Sequence, residues 1–246
     1  MTGMIARILK RILSQSPASI RSTWCSLGVE SMQQNDTGME LRELFALRDY
    51  VDCRIDETAI RAHGGIHPKH DLVNYHEFFL LHLKPGMRVL DVGCGMGTVA
   101  WHLAQNGMKV TGVEIDSTKV ELAVRRYKHE NLKFVNADAT VASLGPTDAV
   151  ILSNVLEHLE KRSEFLRKLA DSSKASLFLI RVPSSMRHWQ VPMRESLGIS
   201  SYNDPTHKIE YTVEQLNAEL QQGGLSITTH ELCWGEIWAK AEPWQK

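Results

Sequence analysis

From residue 87 onward, short apolar runs alternate with segments in which apolar residues recur every three or four positions. The runs predict buried strands, and the segments between them predict amphipathic helices. The strands are predicted at 87–92, 109–115, 132–135, 148–153, 175–182, 225–232 and 237–241, and the helices at 98–106, 117–129, 160–170 and 212–222. Strands and helices that alternate in this way form βαβ units, so we expect an α/β fold with a doubly wound, mostly parallel sheet.

Ahead of this region the pattern is helical. An apolar stripe predicts a helix over 37–63, in which Thr37 and Glu40 have the spacing of a capping box. Asp71 is expected to cap a second helix. Much farther along the chain, residues 183–208 contain three prolines and are predicted to be irregular.

The chain divides into three predicted regions: a basic amphipathic segment (1–36), a helical cap (37–84) and a main domain (85–246). In the first region one helical face is apolar and the opposite face is basic, a pattern typical of a helix on an anionic membrane surface. The apolar residues are Ile5, Ile8, Leu9, Ile12 and Leu13, and the basic ones are Arg7, Lys10 and Arg11. We therefore expect peripheral membrane contact through residues 1–13, with a transit peptide or a helix packed on its own domain as the alternatives.

The composition is that of an ordinary globular protein. Apolar residues make up 43% of the 246 residues, and 28 Lys and Arg against 29 Asp and Glu leave a net charge of −1. Because the chain has no overall basic field to attract nucleic acid, a small-molecule partner is favoured. The four cysteines form no C-x-x-C pair and no apolar run reaches 18 residues. A cytoplasmic location is therefore expected, with membrane association through the first residues as the variant, while the oligomeric state is left open.

The most informative stretch is V89-L-D-V-G-C-G-M-G-T-V-A100, where a predicted strand leads into a glycine-rich loop and then a helix. Glycines at 93, 95 and 97 allow a ligand to approach the backbone closely. A dinucleotide-binding loop would carry its third glycine where Thr98 stands, which argues against a nicotinamide dehydrogenase. The carboxylate of Asp91 would repel a pyrophosphate but can orient amide donors or a cationic amino acid. The spacing therefore favours a nucleoside that has an amino-acid tail and no phosphate.

Two further acids end the next two predicted strand regions. Glu114 follows the glycine loop by about 20 residues, where a carboxylate can hold both hydroxyls of a ribose. Asp138 can accept a hydrogen bond from an adenine amino group. The alternative is a turn aspartate that caps the next segment.

In this order and spacing, the motifs between about residues 63 and 240 resemble those of class I S-adenosylmethionine-dependent methyltransferases. D91-V-G-C-G-M-G97 is similar to the first motif of that family, A137-D-A139 to its adenine-binding segment, and D148-A-V-I-L-S-N-V-L-E-H158 to its fourth strand region. The resemblance implies a Rossmann-like, seven-stranded sheet whose last strand is antiparallel, with S-adenosylmethionine as the cofactor. The cofactor-binding residues that it implies are Asp91, Gly93, Cys94, Gly95, Gly97, Glu114, Ile115, Asp138, Ala139 and Ser153. The segment 67–79 further resembles small bacterial methyltransferases of sugar and surface-polysaccharide pathways.

The implied reaction is methyl transfer to an oxygen or nitrogen atom of a small molecule, such as a sugar or a lipid-linked intermediate. Such an acceptor needs a base with a pKa near neutral, and histidine is the usual one. In the resembling family the loop after the fourth strand faces the methyl group, so His158 is the first candidate for the catalytic base. His207, in the segment expected to cover the acceptor, is the second. No pair of ligands has the spacing of a metal site, so no metal is predicted.

Two other functions stay open at this point. A nucleoside-binding module without transferase activity would carry the same motifs. A nucleic-acid methyltransferase of the amino-methylating type would carry an acid or amide followed by Pro-Pro-aromatic, where this chain has S153-N-V-L156. That difference and the missing basic stripe disfavour it.

Overall fold

A computed structural model describes residues 25–30, 32, 36–202 and 204–244. They divide into two compact units, the first of which ends at His67 and the second of which begins at Pro68. The boundary predicted at 84/85 and the three predicted regions remain a proposal. Residues 1–13, with their expected membrane contact, lie outside the described residues. Within those residues, no helix combines the length and the apolar character that crossing a bilayer requires.

The first unit contains one long helix, α1 (Thr37–Ala62). Its N-cap is Asp36, whose carboxylate accepts hydrogen bonds from the amides of Gly38 and Met39 at 2.9 and 3.2 Å. The predicted capping box was therefore wrong by one residue, because Thr37 is already the first helical residue. Both residue types cap helices well, so the sequence pattern alone did not separate them.

The second unit contains the sheet and the helices around it. Its strands are β1 (Arg88–Val92), β2 (Lys109–Glu114), β3 (Leu132–Asn136), β4 (Ala149–Ser153), β5 (Leu177–Pro183), β6 (Leu225–Cys233) and β7 (Glu236–Pro243). Its helices are α2 (Lys69–Leu72), α3 (His76–His82), α4 (Thr98–Gln105), α5 (Ser117–Arg126), α6 (Arg162–Ser173), α7 (Gln190–Ser196) and α8 (Val213–Gln222), with a 3₁₀ turn at Leu156–His158.

Two local predictions in this unit were wrong. Asp71 does not cap a longer helix, since it lies inside the short helix α2. Asn74 then adopts a left-handed conformation with φ of 52°, which separates α2 from α3. The segment 183–208 is not irregular throughout, because it contains helix α7.

The sheet has the expected topology. Its strand order is β3-β2-β1-β4-β5-β7-β6. Strands β1 to β5 pair in parallel, and β7 runs antiparallel to both of its neighbours, β5 and β6. The loop between β6 and β7 consists of Trp234 and Gly235, both with positive φ (53° and 77°), as a tight hairpin of matching twist requires. The doubly wound sheet with an antiparallel last strand is thus confirmed.

Alternate residues of the central strands face two separate cores. One face carries Leu90, Leu152 and Ile180, and the other carries Val89, Ile151 and Leu179. Helices α6 and α8 cover the first face, while α3 and α4 cover the second. Because both faces are buried, the strands are apolar almost throughout, which is why they could be found as runs rather than as alternating patterns.

Candidate cofactor and acceptor site

The strand order reverses between β1 and β4. The connections that follow these two strands therefore run to opposite faces of the sheet, which leaves a crevice at the carboxyl ends of the strands. The loops after β1 and β4 meet at this crevice. A Cβ atom added to Gly93 would lie only 2.7 Å from Cγ2 of Val155. The glycine loop and the loop that carries His158 are therefore in direct contact.

The three glycines of the loop face different surroundings. All three have positive φ, at 68°, 54° and 84° for Gly93, Gly95 and Gly97. A Cβ atom on Gly97 would overlap the ring of Phe134, and one on Gly93 would meet Val155. At Gly95, apart from the residue itself and its two chain neighbours, no atom of the described structure lies within 4 Å of that position. Gly93 and Gly97 therefore allow the loop to pack, while Gly95 borders open space that a ligand can fill.

Glu114 connects the glycine loop to the start of α5. Its carboxylate accepts hydrogen bonds from the amide of Gly95 at 2.9 Å and from the amide of Asp116 at 3.0 Å. An ionised carboxylate can accept about four hydrogen bonds. Glu114 can thus still accept from ribose hydroxyls while it holds the loop in place.

Asp91 is almost fully buried at the end of β1 and is 1% exposed. Burial raises the pKa of this carboxyl to about 7. The hydrogen bond from the amide of Ala100 opposes this increase, and the charge of Glu114 adds a smaller increase. Its Oδ2 atom has no hydrogen-bond partner among the described residues. Such an atom is costly unless a ligand supplies a donor.

The half-buried side chain of Cys94 packs beside Gly112. A Cβ atom on Gly112 would lie 2.8 Å from the Cys94 sulfur, so the thiol fills the space that this glycine leaves. Burial raises the pKa of the Cys94 thiol, with a further contribution from the charge of Asp91, and the thiol stays protonated.

The remaining expected cofactor residues differ in their exposure and in their hydrogen-bond partners. Ile115, directly after Glu114, is 67% exposed. Asp138 accepts hydrogen bonds from the amide and hydroxyl of Thr140 at 2.8 and 2.6 Å, the arrangement of a turn aspartate. Ala139 packs against the core at the same turn. The hydroxyl of Ser153 accepts a hydrogen bond from Arg181 at 3.0 Å.

Arg181 is a buried charge that the sequence analysis did not single out. It lies in β5, forms an ion pair with Glu236 of β7 at 2.6 Å, and places its guanidinium 3.6 Å from the centre of the Tyr75 ring. Trp238 donates a hydrogen bond to the same Glu236 carboxylate at 2.8 Å. A single arginine in an otherwise apolar predicted strand was the available signal for this cluster.

The structure brings both candidate bases together. The rings of His158 and His207 meet edge to face with their centres 4.9 Å apart. The carboxylate of Glu157 completes the group, and one ligand atom from each of the three residues lies within 4.8 Å of the others. No hydrogen bond of normal geometry reaches either oxygen of Glu157 from the described residues, and burial raises its pKa to about 7. Two imidazoles and a carboxylate can share a proton, and they are also a set of donors that divalent cations accept.

The segment after β5 covers the loop that carries His158. The two ends of this segment lie side by side, because Ser184 pairs with Tyr211 as an isolated β-bridge. The amide of Lys208 donates to the carbonyl of Glu157 at 2.7 Å, which ties the segment to the 3₁₀ turn. Inside it, Arg187 forms an ion pair with Glu210, and Glu210 also contacts Nδ1 of His207 at 3.1 Å.

A separate cleft of about 350 Å³ opens at the amino ends of β1, β2 and β3. Its basic lining includes Lys109, Lys133 and Arg88, the last of which is paired with Asp148 at 2.6 Å. None of the expected site residues lines it. The chemistry predicted from the sequence is therefore at the opposite end of the sheet.

The fold and this crevice define the class of Rossmann-like methyltransferases. A family model described as a methyltransferase domain matches residues 67–230, well over half of the chain. The chain belongs to this family, which confirms the class and the S-adenosylmethionine cofactor that the sequence indicated. The match begins next to the start of the second compact unit.

Individual relatives are more distant. The ubiquinone biosynthesis O-methyltransferase of Caulobacter sp. (strain K31) is 33% identical over 90 residues, which are 35% of this chain and 36% of that protein. An S-adenosyl-L-methionine-dependent Diels-Alderase of Talaromyces variabilis is 50% identical over 52 residues, or 21% of this chain and 18% of that protein. The chain thus spans about a third or less of these curated relatives. Because relatives of the first kind act in ubiquinone biosynthesis, the expected resemblance to enzymes of sugar and surface-polysaccharide pathways is not supported.

A solved structure shares the fold. Magnesium protoporphyrin IX methyltransferase from Synechocystis PCC 6803, with bound SAH, is similar with a TM-score of 0.58 and 20% sequence identity. The similarity covers 70% of this chain and 81% of that chain. At this identity it supports the architecture alone.

Proposed function

We propose that the protein transfers the methyl group of S-adenosylmethionine to an oxygen atom of a small molecule. The observation that carries this proposal is the contact between the glycine loop and the loop of His158, through Gly93 and Val155. This contact supports a placement of His158, the candidate base, near the cofactor that the glycine loop would bind. A hydroxyl acceptor needs such a base, while a sulfonium donor needs mainly alignment. The relatives named as O-methyltransferases support oxygen, and nitrogen is the alternative.

The described residues fit this cofactor. We assign the open space beside Gly95 to the cofactor, Oδ2 of Asp91 to its ammonium group and Glu114 to its ribose hydroxyls. The exposed Ile115 would pack on the adenine, with Asp138 and the neighbouring Ala139 at its edge. The backbone of Cys94 and the end of β4 at Ser153 would border the same space. When bound there, S-adenosylmethionine would supply the methyl group of its sulfonium. The rest of the cofactor would be the leaving group, with its sulfur as a neutral thioether.

Labelled methyl transfer tests the proposal. Purified protein would be incubated with S-adenosylmethionine that carries an isotopically labelled methyl group, together with fractionated cell extract, and the products analysed by mass spectrometry. We expect label in a methyl ether of a small molecule, with sugars and lipid-linked intermediates among the acceptor classes to test. His158→Ala should lower turnover about a hundredfold or more and leave cofactor affinity unchanged. His230→Ala, an exposed histidine on edge strand β6, is the matched control and should keep wild-type turnover.

Two alternatives are outcomes of the same experiment. Cofactor binding without any transferred label would favour a nucleoside-binding module or a reaction that transfers no methyl. The Diels-Alderase relative supports keeping that alternative, since a cycloaddition transfers no group. Label in RNA or DNA would instead favour a nucleic-acid methyltransferase.

We also propose that the reaction needs no metal, as the sequence predicted. Extensive dialysis against EDTA should leave turnover unchanged, because the base chemistry is available from His158 alone. Loss of turnover that is restored by a divalent cation would contradict this and would assign Glu157, His158 and His207 to that cation.

A further inference from the structure

Three side chains form a continuous hydrogen-bonded line that ends at the candidate base. The Thr206 hydroxyl donates to Oδ1 of Asp204 at 2.6 Å, and its oxygen lies 3.0 Å from Nδ1 of His158. The amide of Thr206 donates to the same aspartate oxygen at 2.7 Å. The line therefore joins the segment after β5 to the 3₁₀ turn after β4 through side chains. It adds to the backbone hydrogen bond between Lys208 and Glu157.

The protons along this line can be assigned. The hydrogen bond from the Thr206 hydroxyl, followed by the bond from its amide, keeps the pKa of Asp204 below its usual range despite partial burial. Asp204 is thus ionised at neutral pH and can only accept hydrogen bonds. The single proton of the Thr206 hydroxyl is then committed to Asp204, so its oxygen must accept from His158.

We propose that Asp204 and Thr206 are positioning residues that hold neutral His158 as its Nδ1-protonated tautomer, with the lone pair of Nε2 directed to the methyl acceptor. This inference rests on the function proposed above. It gives a role to two residues of the segment 183–208, which the sequence pattern predicted to be irregular. The logic is that of a triad in which a carboxylate orients an imidazole, here through an intervening hydroxyl.

The surroundings of His158 agree with this arrangement. Among the described residues, Nε2 of His158 makes no hydrogen bond, and the residue is exposed. The ring of His158 is nevertheless partly buried, and this partial burial lowers its pKa. The nearby His207 and Lys119 of α5 lower the pKa further, while Asp204 and Thr206 raise it. Glu157 adjoins it within the three-residue group. A neutral imidazole with one free nitrogen is what a general base requires.

In the proposed reaction, the acceptor hydroxyl gives its proton to Nε2 as its oxygen forms the bond to the methyl carbon. The electron pair of the broken carbon–sulfur bond stays on sulfur, so the positive charge passes from the sulfonium to the imidazolium. The Nδ1 proton of that imidazolium remains hydrogen-bonded to Thr206, and Asp204 lies behind it as the balancing negative charge. Release of the proton to solvent returns the neutral base.

Nitrogen NMR of the histidine rings tests the inference without reference to turnover. Long-range proton–nitrogen spectra of the full chain distinguish Nδ1–H from Nε2–H, and His158→Gln identifies the signals. We expect wild-type His158 as Nδ1–H and expect Thr206→Ser, which keeps the hydroxyl, to preserve it. Thr206→Val, which has the same shape without the hydroxyl, should shift the tautomer toward Nε2–H. Wild-type His158 with its proton on Nε2 would overturn the inference, whether or not Thr206→Val folds.

Turnover provides the second measurement. Thr206→Val should lower kcat about tenfold to a hundredfold with unchanged affinity for S-adenosylmethionine, and Thr206→Ser should stay within about threefold of wild type. If the NMR result is as expected but no methyl is transferred, the hydrogen-bonded line stands and the proposed function fails. If methyl is transferred equally well by Thr206→Val and wild type, the positioning role is refuted while the function stands.

Discussion

At the scale of single residues, the glycines of the loop have two different roles. Gly93 and Gly97 allow the loop to pack, while Gly95 borders the space assigned to the cofactor. Gly95→Val should abolish cofactor binding, because its side chain would occupy the open space assigned to the cofactor. A matched control is Gly145→Val, since Gly145 has a similar positive φ of 72° and equally open surroundings. Both variants should lose a comparable roughly 1–2 kcal/mol of stability from left-handed strain. Calorimetry with S-adenosylmethionine should show binding in Gly145→Val alone, and equal binding in both would refute the placement.

Asp91 should make cofactor binding depend on pH. Because burial raises its pKa to about 7, its ionised fraction increases as pH rises through neutrality. An ammonium partner binds the ionised form, so affinity should increase roughly tenfold between pH 6 and pH 8. Calorimetry on Asp91→Asn, which keeps an acceptor for the Ala100 amide, should show weaker binding with this increase removed. The same pH slope in both proteins would exclude Asp91 as its source.

At the scale of elements, the ion pair of Arg181 and Glu236 connects β5 to β7 where both strands are buried. Their side chains are 3% and 17% exposed. Glu236→Gln keeps an acceptor for Trp238 but leaves the arginine charge unpaired, so it should cost about 3–5 kcal/mol in urea unfolding. The double variant with Arg181→Met removes that charge and should recover most of the loss. A double variant as unstable as Glu236→Gln would show that the charge pair is not the cause.

Elements were predictable where local sequence decides them. The strands β1, β4 and β5 are buried on both faces, so their apolar runs identified them within two residues at each end. The break at Asn74 was not predictable, because an asparagine in the left-handed region resembles any other polar helix residue in the pattern. The cap at Asp36 was missed for a similar reason, since an equally good capping residue stands beside it.

The candidate site was predictable on the cofactor side and not on the acceptor side. The glycine loop and Glu114 are adjacent in the fold because consecutive parallel strands carry them to one edge. His158 and Thr206, in contrast, are brought together by the path of a long loop, 48 residues apart in sequence. Nothing in a periodic pattern encodes such a contact. Thr206 and Asp204 lie two residues apart, inside the segment that the sequence pattern predicted to be irregular.

At the scale of the whole molecule, the second compact unit should fold independently. A fragment of residues 68–246 should keep a cooperative thermal transition close to that of the full chain, measured by circular dichroism. A fragment that starts at the predicted boundary, residues 85–246, loses Tyr75, Phe78 and Phe79, which are 2%, 6% and 0% exposed. Each such loss costs roughly 3–5 kcal/mol, against a total stability of about 5–15 kcal/mol. A cooperative transition at the same temperature in both fragments would instead place the domain boundary at 84/85.

The insertion of β7 between β5 and β6 has a consequence for synthesis on the ribosome. Every residue of β5 is buried in the finished sheet, yet its outer edge is paired only by β7. That edge therefore stays open until residues 236–243 have emerged from the exit tunnel. Exposed apolar edges recruit other strands. Products truncated by premature termination before that point should be caught by chaperones or aggregate, while the completed polypeptide closes its own edge.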